Sequence, residues 1–130
     1  MLMPRYVVDA SAWIEYFISS SRGEKAKKII DDNQNEIFTS PITIAEIMSV
    51  VKREKRDHKS VYETITSISQ TFLVDDSFAR DVGMLHADIR FKVKGFSLAD
   101  AFVLLTARKL NARILTGDFD FKGFKEAVMI

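Results

Sequence analysis

The chain of 130 residues has no cysteine. That excludes a disulfide framework and any thiolate metal site. No apolar run approaches the roughly 20 residues needed to span a membrane. The short apolar stretch after Arg5 is broken at Asp9, too early for the uncharged core of a signal peptide. A cytoplasmic location with no membrane partner is therefore expected. Only two histidines occur, His58 and His86; they show no ligand spacing and are expected to be surface or boundary residues. Internal repeats, low-complexity tracts and linkers are missing as well. What remains is ordinary: 47% apolar residues, 28% charged residues and a formal net charge of +1. This is the composition of one globular domain.

Short β-branched or aromatic runs alternate with amphipathic segments. Strands are predicted at 6–10 (YVVDA), 36–40 (EIFTS), 72–74 (FLV), 113–116 (RILT) and 127–130 (AVMI). Helices are predicted at 11–17, 23–34, 42–56, 60–70, 76–92 and 97–110. Ser40-Pro41 reads as an N-cap followed by proline at the first helical position. The alternation predicts an α/β domain with a central, mostly parallel β-sheet flanked by α-helices.

Four acids sit in places where the pattern asks for apolar residues or strand ends. Asp9 ends the first strand, and Asp118 lies just beyond the strand at 113–116. Asp100 has Val103, Leu104 and Ala107 on its helical face. An unpaired carboxylate on a buried face is costly. Glu46 lies one turn after Ile42 and one turn before Val50. Each acid has an ordinary alternative. Asp9 can cap a helix, Ser97-x-x-Asp100 has capping-box spacing, Glu46 can sit at a solvated edge, and Asp118 and Asp120 can be turn residues after Gly117. One shared site explains all four together. Clustered carboxylates repel by roughly 4 kcal/mol per pair at about 4 Å and an effective dielectric near 20, so a counter-cation is required. All-oxygen ligation suits Mg²⁺ or Mn²⁺, which bridge carboxylates to phosphate oxygens.

The stretches VVDASAWIEYF (7–17), SPITIAEIMSVV (40–51) and SLADAFVLLTARKLNARILTGDFDF (97–121) occur in an order and spacing that resemble the PIN-domain nucleases, in particular VapC-like toxins of type II toxin–antitoxin pairs. The resemblance runs along nearly the whole chain, residues 1–130. It implies a single PIN-like domain and a metal-dependent endoribonuclease. Asp9, Glu46, Asp100 and Asp118 would be its acidic quartet and Mg²⁺ ligands, with Asp120 an additional acid. It also implies that Ser11 and Thr116 line the site, that the partner is a cognate antitoxin, and that the chain forms a homodimer. Phe119 departs from the pattern, standing where many members carry a polar or charged residue; this bears on substrate preference.

The expected chemistry is hydrolysis of an RNA phosphodiester by a metal-activated water, leaving a 5′-phosphate. With four carboxylates neutralised by metal, the formal net charge of +1 becomes +5, mildly attractive to a polyanion. Arg90, Lys92 and Lys94 are the expected phosphate contacts, while KREKRDHK (52–59) reads as a solvated helix end. Trp13 is expected in the core. Phe119, Phe121 and Phe124 are read as core rather than as base-stacking platforms. Some of the apolar residues among Trp13, Ile14 to Phe17 and Ile44 to Val51 are expected to border a dimer or antitoxin groove. A haloacid-dehalogenase-type phosphatase would want a second Asp where Ser11 stands, and a receiver domain would want an acid pair near the first strand. An RNA-processing nuclease without an antitoxin and a non-catalytic binding module remain as alternatives on the same fold.

Overall fold

The computed structural model describes residues 2–130. Along the chain these form β1 (Arg5–Val8), α1 (Ala10–Ile18), α2 (Ser21–Ile30), β2 (Glu36–Thr39), α3 (Pro41–Arg53) and α4 (His58–Ile68). Then follow β3 (Gln70–Thr71), α5 (Asp76–Ile89), α6 (Leu98–Leu110), β4 (Arg113–Thr116), a 3-10 turn (Phe119–Phe121) and β5 (Ala127–Met129). The sheet has the order β3-β2-β1-β4-β5, and every pairing is parallel.

Side chains alternate across the sheet, as a period of two requires. Val7, Phe38 and Ile114 face a core built with α5 and α6, around Phe78, Val82, Val103, Leu104 and Phe121. Val8, Ile37 and Leu115 face the opposite core, with Trp13, Ala26, Ile47, Val61 and Ile65 from α1 to α4. The result is a helix–sheet–helix sandwich whose central strands are buried on both faces, so they read as continuous apolar runs.

Several boundaries differ from the expectation. The strand expected at 72–74 lies at Gln70–Thr71. Phe72 still donates its N–H to Thr39 O at 3.0 Å, but Leu73 is 86% exposed and the chain then turns so that Asp75 caps α5. The helix at 23–34 begins at Ser21, because the Ser20 hydroxyl caps it. It ends at Ile30, where Asp31, Asp32 and Asn33 favour turns. The helices expected to reach 56 and 92 stop at Arg53 and Ile89, and Lys55 takes a left-handed φ of 57° beyond the first of them. Ser40 occupies the N-cap position of α3 without a capping bond.

Candidate metal centre at the carboxyl edge of the sheet

From β1 the chain builds outward through β2 to β3, then returns to the other side of β1 as β4 and β5. The order therefore reverses between β1 and β4, and a crevice opens beyond the carboxyl ends of such strands. Asp9 follows β1 and Asp118 follows the residue after β4, so both fall at this reversal. The Asp9 N–H closes the junction by donating to Leu115 O at 3.0 Å.

Asp9 is 6% exposed. It holds the N-cap position of α1, yet its side chain caps nothing. Its Oδ2 instead accepts hydrogen bonds from Ser11 Oγ and Thr116 Oγ1, each at 2.9 Å. The same two hydroxyls accept from the turn: Gly117 N–H donates to Ser11 Oγ and Asp118 N–H to Thr116 Oγ1, again at 2.9 Å. Asp118 Oδ1 in turn accepts the Asp120 N–H at 2.9 Å. Asp9 and the 117–120 turn are thus one hydrogen-bonded unit, and Ser11 and Thr116 both orient a carboxylate and complete a turn.

Asp100 enters from the first turn of α6. The capping box is present: Asp100 N–H donates to Ser97 Oγ at 3.0 Å, and Asp100 Oδ2 accepts the Ser97 N–H at 2.9 Å. The capping role and a site role are not exclusive, because one carboxylate oxygen is enough for the cap. Asp100, Asp118 and Asp120 each offer a carboxylate oxygen, and these atoms all lie within 4.8 Å of one another. Glu46, in the middle of α3, is exposed, and Asp9 and Glu46 lie outside this tightest group.

Electrostatics tie four of the acids, Asp9, Glu46, Asp100 and Asp118, together. Burial pushes the Asp9 carboxyl up from its ordinary value; hydrogen bonds from Thr116 and Ser11 oppose this, and the Asp118 charge adds to it. Asp100 is pushed up to about 6, first by burial and then by Asp9 and Asp118, against the stabilising Ser97 bond. Glu46 is pushed up to about 7 by desolvation and by the charges of Asp9, Asp100 and Asp118. None of the five acids is ion-paired among the described residues. Unpaired carboxylates, with Asp9, Glu46 and Asp100 pushed up in pKa, are the electrostatic pattern of a candidate cation site.

Arg90, Lys92 and Lys94 are exposed on the segment after α5. The backbone of that segment reaches the site at Gly95, which has a φ of +89°; a Cβ there would stand 3.3 Å from Asp120 Oδ2. Trp13 is fully buried and donates Nε1–H to Thr39 Oγ1 at 3.2 Å. His58 is exposed, and His86 Nε2 lies 3.0 Å from Phe96 O. Phe121 is fully buried and Phe124 packs against the same core, but Phe119 is 77% exposed. The core reading of Phe119 is therefore corrected. The 3-10 turn sends Phe121 inward and Phe119 outward, an alternation that composition does not reveal.

One support of the site, Arg22, has no sequence signal. Arg22 Nη2 donates to Gly117 O at 2.7 Å, and Arg22 Nη1 pairs with Glu15 at 3.5 Å, so α2 clamps the turn that carries Asp118. The buried hydroxyls of Ser40 and Thr43, at the start of α3, have no hydrogen-bond partner among the described residues.

No helix among the described residues is long and apolar enough to cross a membrane. No curated protein matches the sequence at a significant level. Solved structures share the fold. A toxin–antitoxin complex from Klebsiella pneumoniae matches at 24% identity and TM-score 0.67 over 95% of this chain and 96% of that one. VapBC2 from Rickettsia felis, bound to a promoter DNA fragment, matches at 17% identity and TM-score 0.72 over 97% of each chain. VapC20 from Mycobacterium tuberculosis, a toxin that cleaves the sarcin–ricin loop, matches at 20% identity and TM-score 0.71 over 96% of this chain and 99% of that one. The model of the PIN domain matches residues 6–127, which takes in every strand end and helix face that carries these acids, and the chain belongs to the PIN-domain family.

Proposed function

We propose that this chain is a Mg²⁺-dependent endoribonuclease and the toxin of a toxin–antitoxin pair. The observation that carries the reading is the convergence of the Asp100, Asp118 and Asp120 carboxylates within 4.8 Å, unpaired, with Asp100 and Asp118 coupled by charge to Asp9 and Glu46. An all-carboxylate donor set, without sulfur or nitrogen, fits Mg²⁺ or Mn²⁺. Asp9, Glu46, Asp100, Asp118 and Asp120 are the residues that would hold it. A bound divalent ion supplies neutralisation of charge on the phosphate and a water of lowered pKa.

The protein's own part is orientation. Ser11 and Thr116 fix the Asp9 carboxylate and, through the Gly117 and Asp118 amides, the turn beside it. The Ser97 amide holds one oxygen of Asp100. Arg22 restrains the Gly117 carbonyl. Arg90, Lys92 and Lys94 meet the RNA phosphates, a role supported by their exposure on the segment that backs onto Asp120. An antitoxin partner is supported by the Klebsiella and Rickettsia complexes. Its docking surface is the apolar furrow between α1 and α3, where Ile14, Phe17 and Val50 line one depression with the exposed Ile18. The chain acts as a homodimer in the cytoplasm.

Incubation of the pure protein with total RNA tests the reading. In Mg²⁺, internal cuts with 5′-phosphate ends are expected, and in EDTA none. Cleavage that persists in EDTA, or ends carrying 2′,3′-cyclic phosphate, would refute it.

A further inference from the structure

An exposed phenylalanine by itself means little, since much protein surface is apolar. Phe119 differs in position and in rigidity. It stands between Asp118 and Asp120, two of the three acids whose oxygens lie within 4.8 Å, and it is 77% exposed. The 3-10 turn holds it there: Phe121 N–H donates to Asp118 O at 3.1 Å, Lys122 N–H to Phe119 O at 3.0 Å, and Asp120 N–H to the Asp118 carboxylate at 2.9 Å. The fully buried Phe121 anchors the turn from below. Lys122 Nζ lies 5.9 Å from the Phe119 ring centre. On the adjoining segment, which backs onto Asp120 through Gly95, Arg90 lies 5.6 Å from the ring centre of Phe91, itself 86% exposed. Aromatic faces beside cations are what unpaired nucleotides use, with bases on the rings and phosphates at the charges.

We propose that Phe119 is a specificity-determining platform that stacks one unpaired base next to the phosphate being cut, with Lys122 on the flanking phosphate. The proposal rests on the nuclease reading above for its substrate.

Phe119 is replaced by alanine, leucine and tryptophan. The alanine variant is expected to lose about tenfold or more in kcat/KM on unpaired RNA, the scale of one base stacked on an aromatic ring, with the loss mainly in KM. Leucine does not restore it, and tryptophan does. Because Trp13 is the chain's one tryptophan and is fully buried, Phe119→Trp adds the only exposed indole among the described residues. In a Phe119→Trp, Asp100→Asn double variant with Mg²⁺, a single-stranded oligoribonucleotide quenches its fluorescence, and an abasic strand of equal length does not. If the wild-type chain cuts no RNA, the nuclease reading fails, while base-dependent quenching still upholds the platform. An unchanged kcat/KM in Phe119→Ala, rescue by leucine, or equal quenching by the abasic strand would overturn the proposal. So would a loss confined to antitoxin binding.

Discussion

Asparagine at position 100 removes a charge from the acidic cluster without removing the helix cap, because the amide oxygen can still accept the Ser97 N–H that Asp100 Oδ2 accepts at 2.9 Å. The folded pKa of Asp100 is pushed from 3.8 up to about 6. The native state therefore holds the proton more tightly than the unfolded chain. Stability of the metal-free protein is then highest below the unfolded pKa and falls as pH rises through the folded one, from about pH 4 to about pH 6. Glu46, raised from 4.5 to about 7, extends the decline toward neutral pH. Ionising Asp100 in the folded protein rather than in the unfolded chain costs about 3 kcal/mol at most. Its carboxyl faces the half-buried Asp118 and Asp120, so solvent screening reduces this to about 1 to 2 kcal/mol. In EDTA at pH 8, Asp100→Asn should thus melt roughly 5 °C above wild type, and at pH 4 the two should melt together. Mg²⁺ should raise the wild-type melting temperature more than the variant's, since a ligand stabilises only the state that binds it. Thermal melts at pH 4, 6 and 8, with and without metal, read all of this. A wild-type melting temperature that is flat or rising from pH 4 to 7 in EDTA would refute the reasoning, as would an Asp100→Asn protein less stable at pH 8.

Other substitutions test the supports of the site. A Cβ at Gly23 would lie 2.0 Å from the carbonyl oxygen of Glu15, so Gly23→Ala must push α2 from α1, and a loss of about 2 to 3 kcal/mol is expected in chemical denaturation. A Cβ at Gly117 would also meet an atom at 2.0 Å, but that atom is the mobile tip of Arg22. Gly117→Ala should cost only about 1 kcal/mol, and combining it with Arg22→Ala should add little further, which a double-mutant cycle measures. Ser11→Ala removes a donor to Asp9 and the acceptor of the Gly117 N–H. It should cost about 1 to 2 kcal/mol and slow RNA cleavage without changing the end chemistry.

Sequence patterns reveal the sheet-forming runs predicted at 6–10, 36–40 and 113–116, which form strands at 5–8, 36–39 and 113–116, because the inner residues of these strands are buried and β-branched or apolar. The short β3 escapes them because its two residues are both exposed and polar, so nothing in their chemistry marks a strand. Asp9 and Asp100 stand out because each is a carboxylate among apolar neighbours, and both are buried. The outward turn of Phe119 is not legible: an Asp-Phe-Asp-Phe run alternates like a strand, and only the 3-10 hydrogen bonds decide which ring is covered. Nor is Arg22, whose partner Gly117 lies 95 residues away along the chain.

On the proposed function, the carboxylates gathered at the β1–β4 edge hold a divalent ion needed for RNA cleavage. Single-turnover cleavage of a short RNA across a Mg²⁺ titration, comparing wild type with Asp118→Asn, tests it most directly. Asp118 lies in the group spanning 4.8 Å and caps the 3-10 turn through an oxygen that asparagine retains. The expected rate at saturating Mg²⁺ is at least about a hundredfold below wild type, the scale of losing one key electrostatic group, together with a midpoint shifted to higher Mg²⁺. Wild-type rate and midpoint in the variant would contradict the claim.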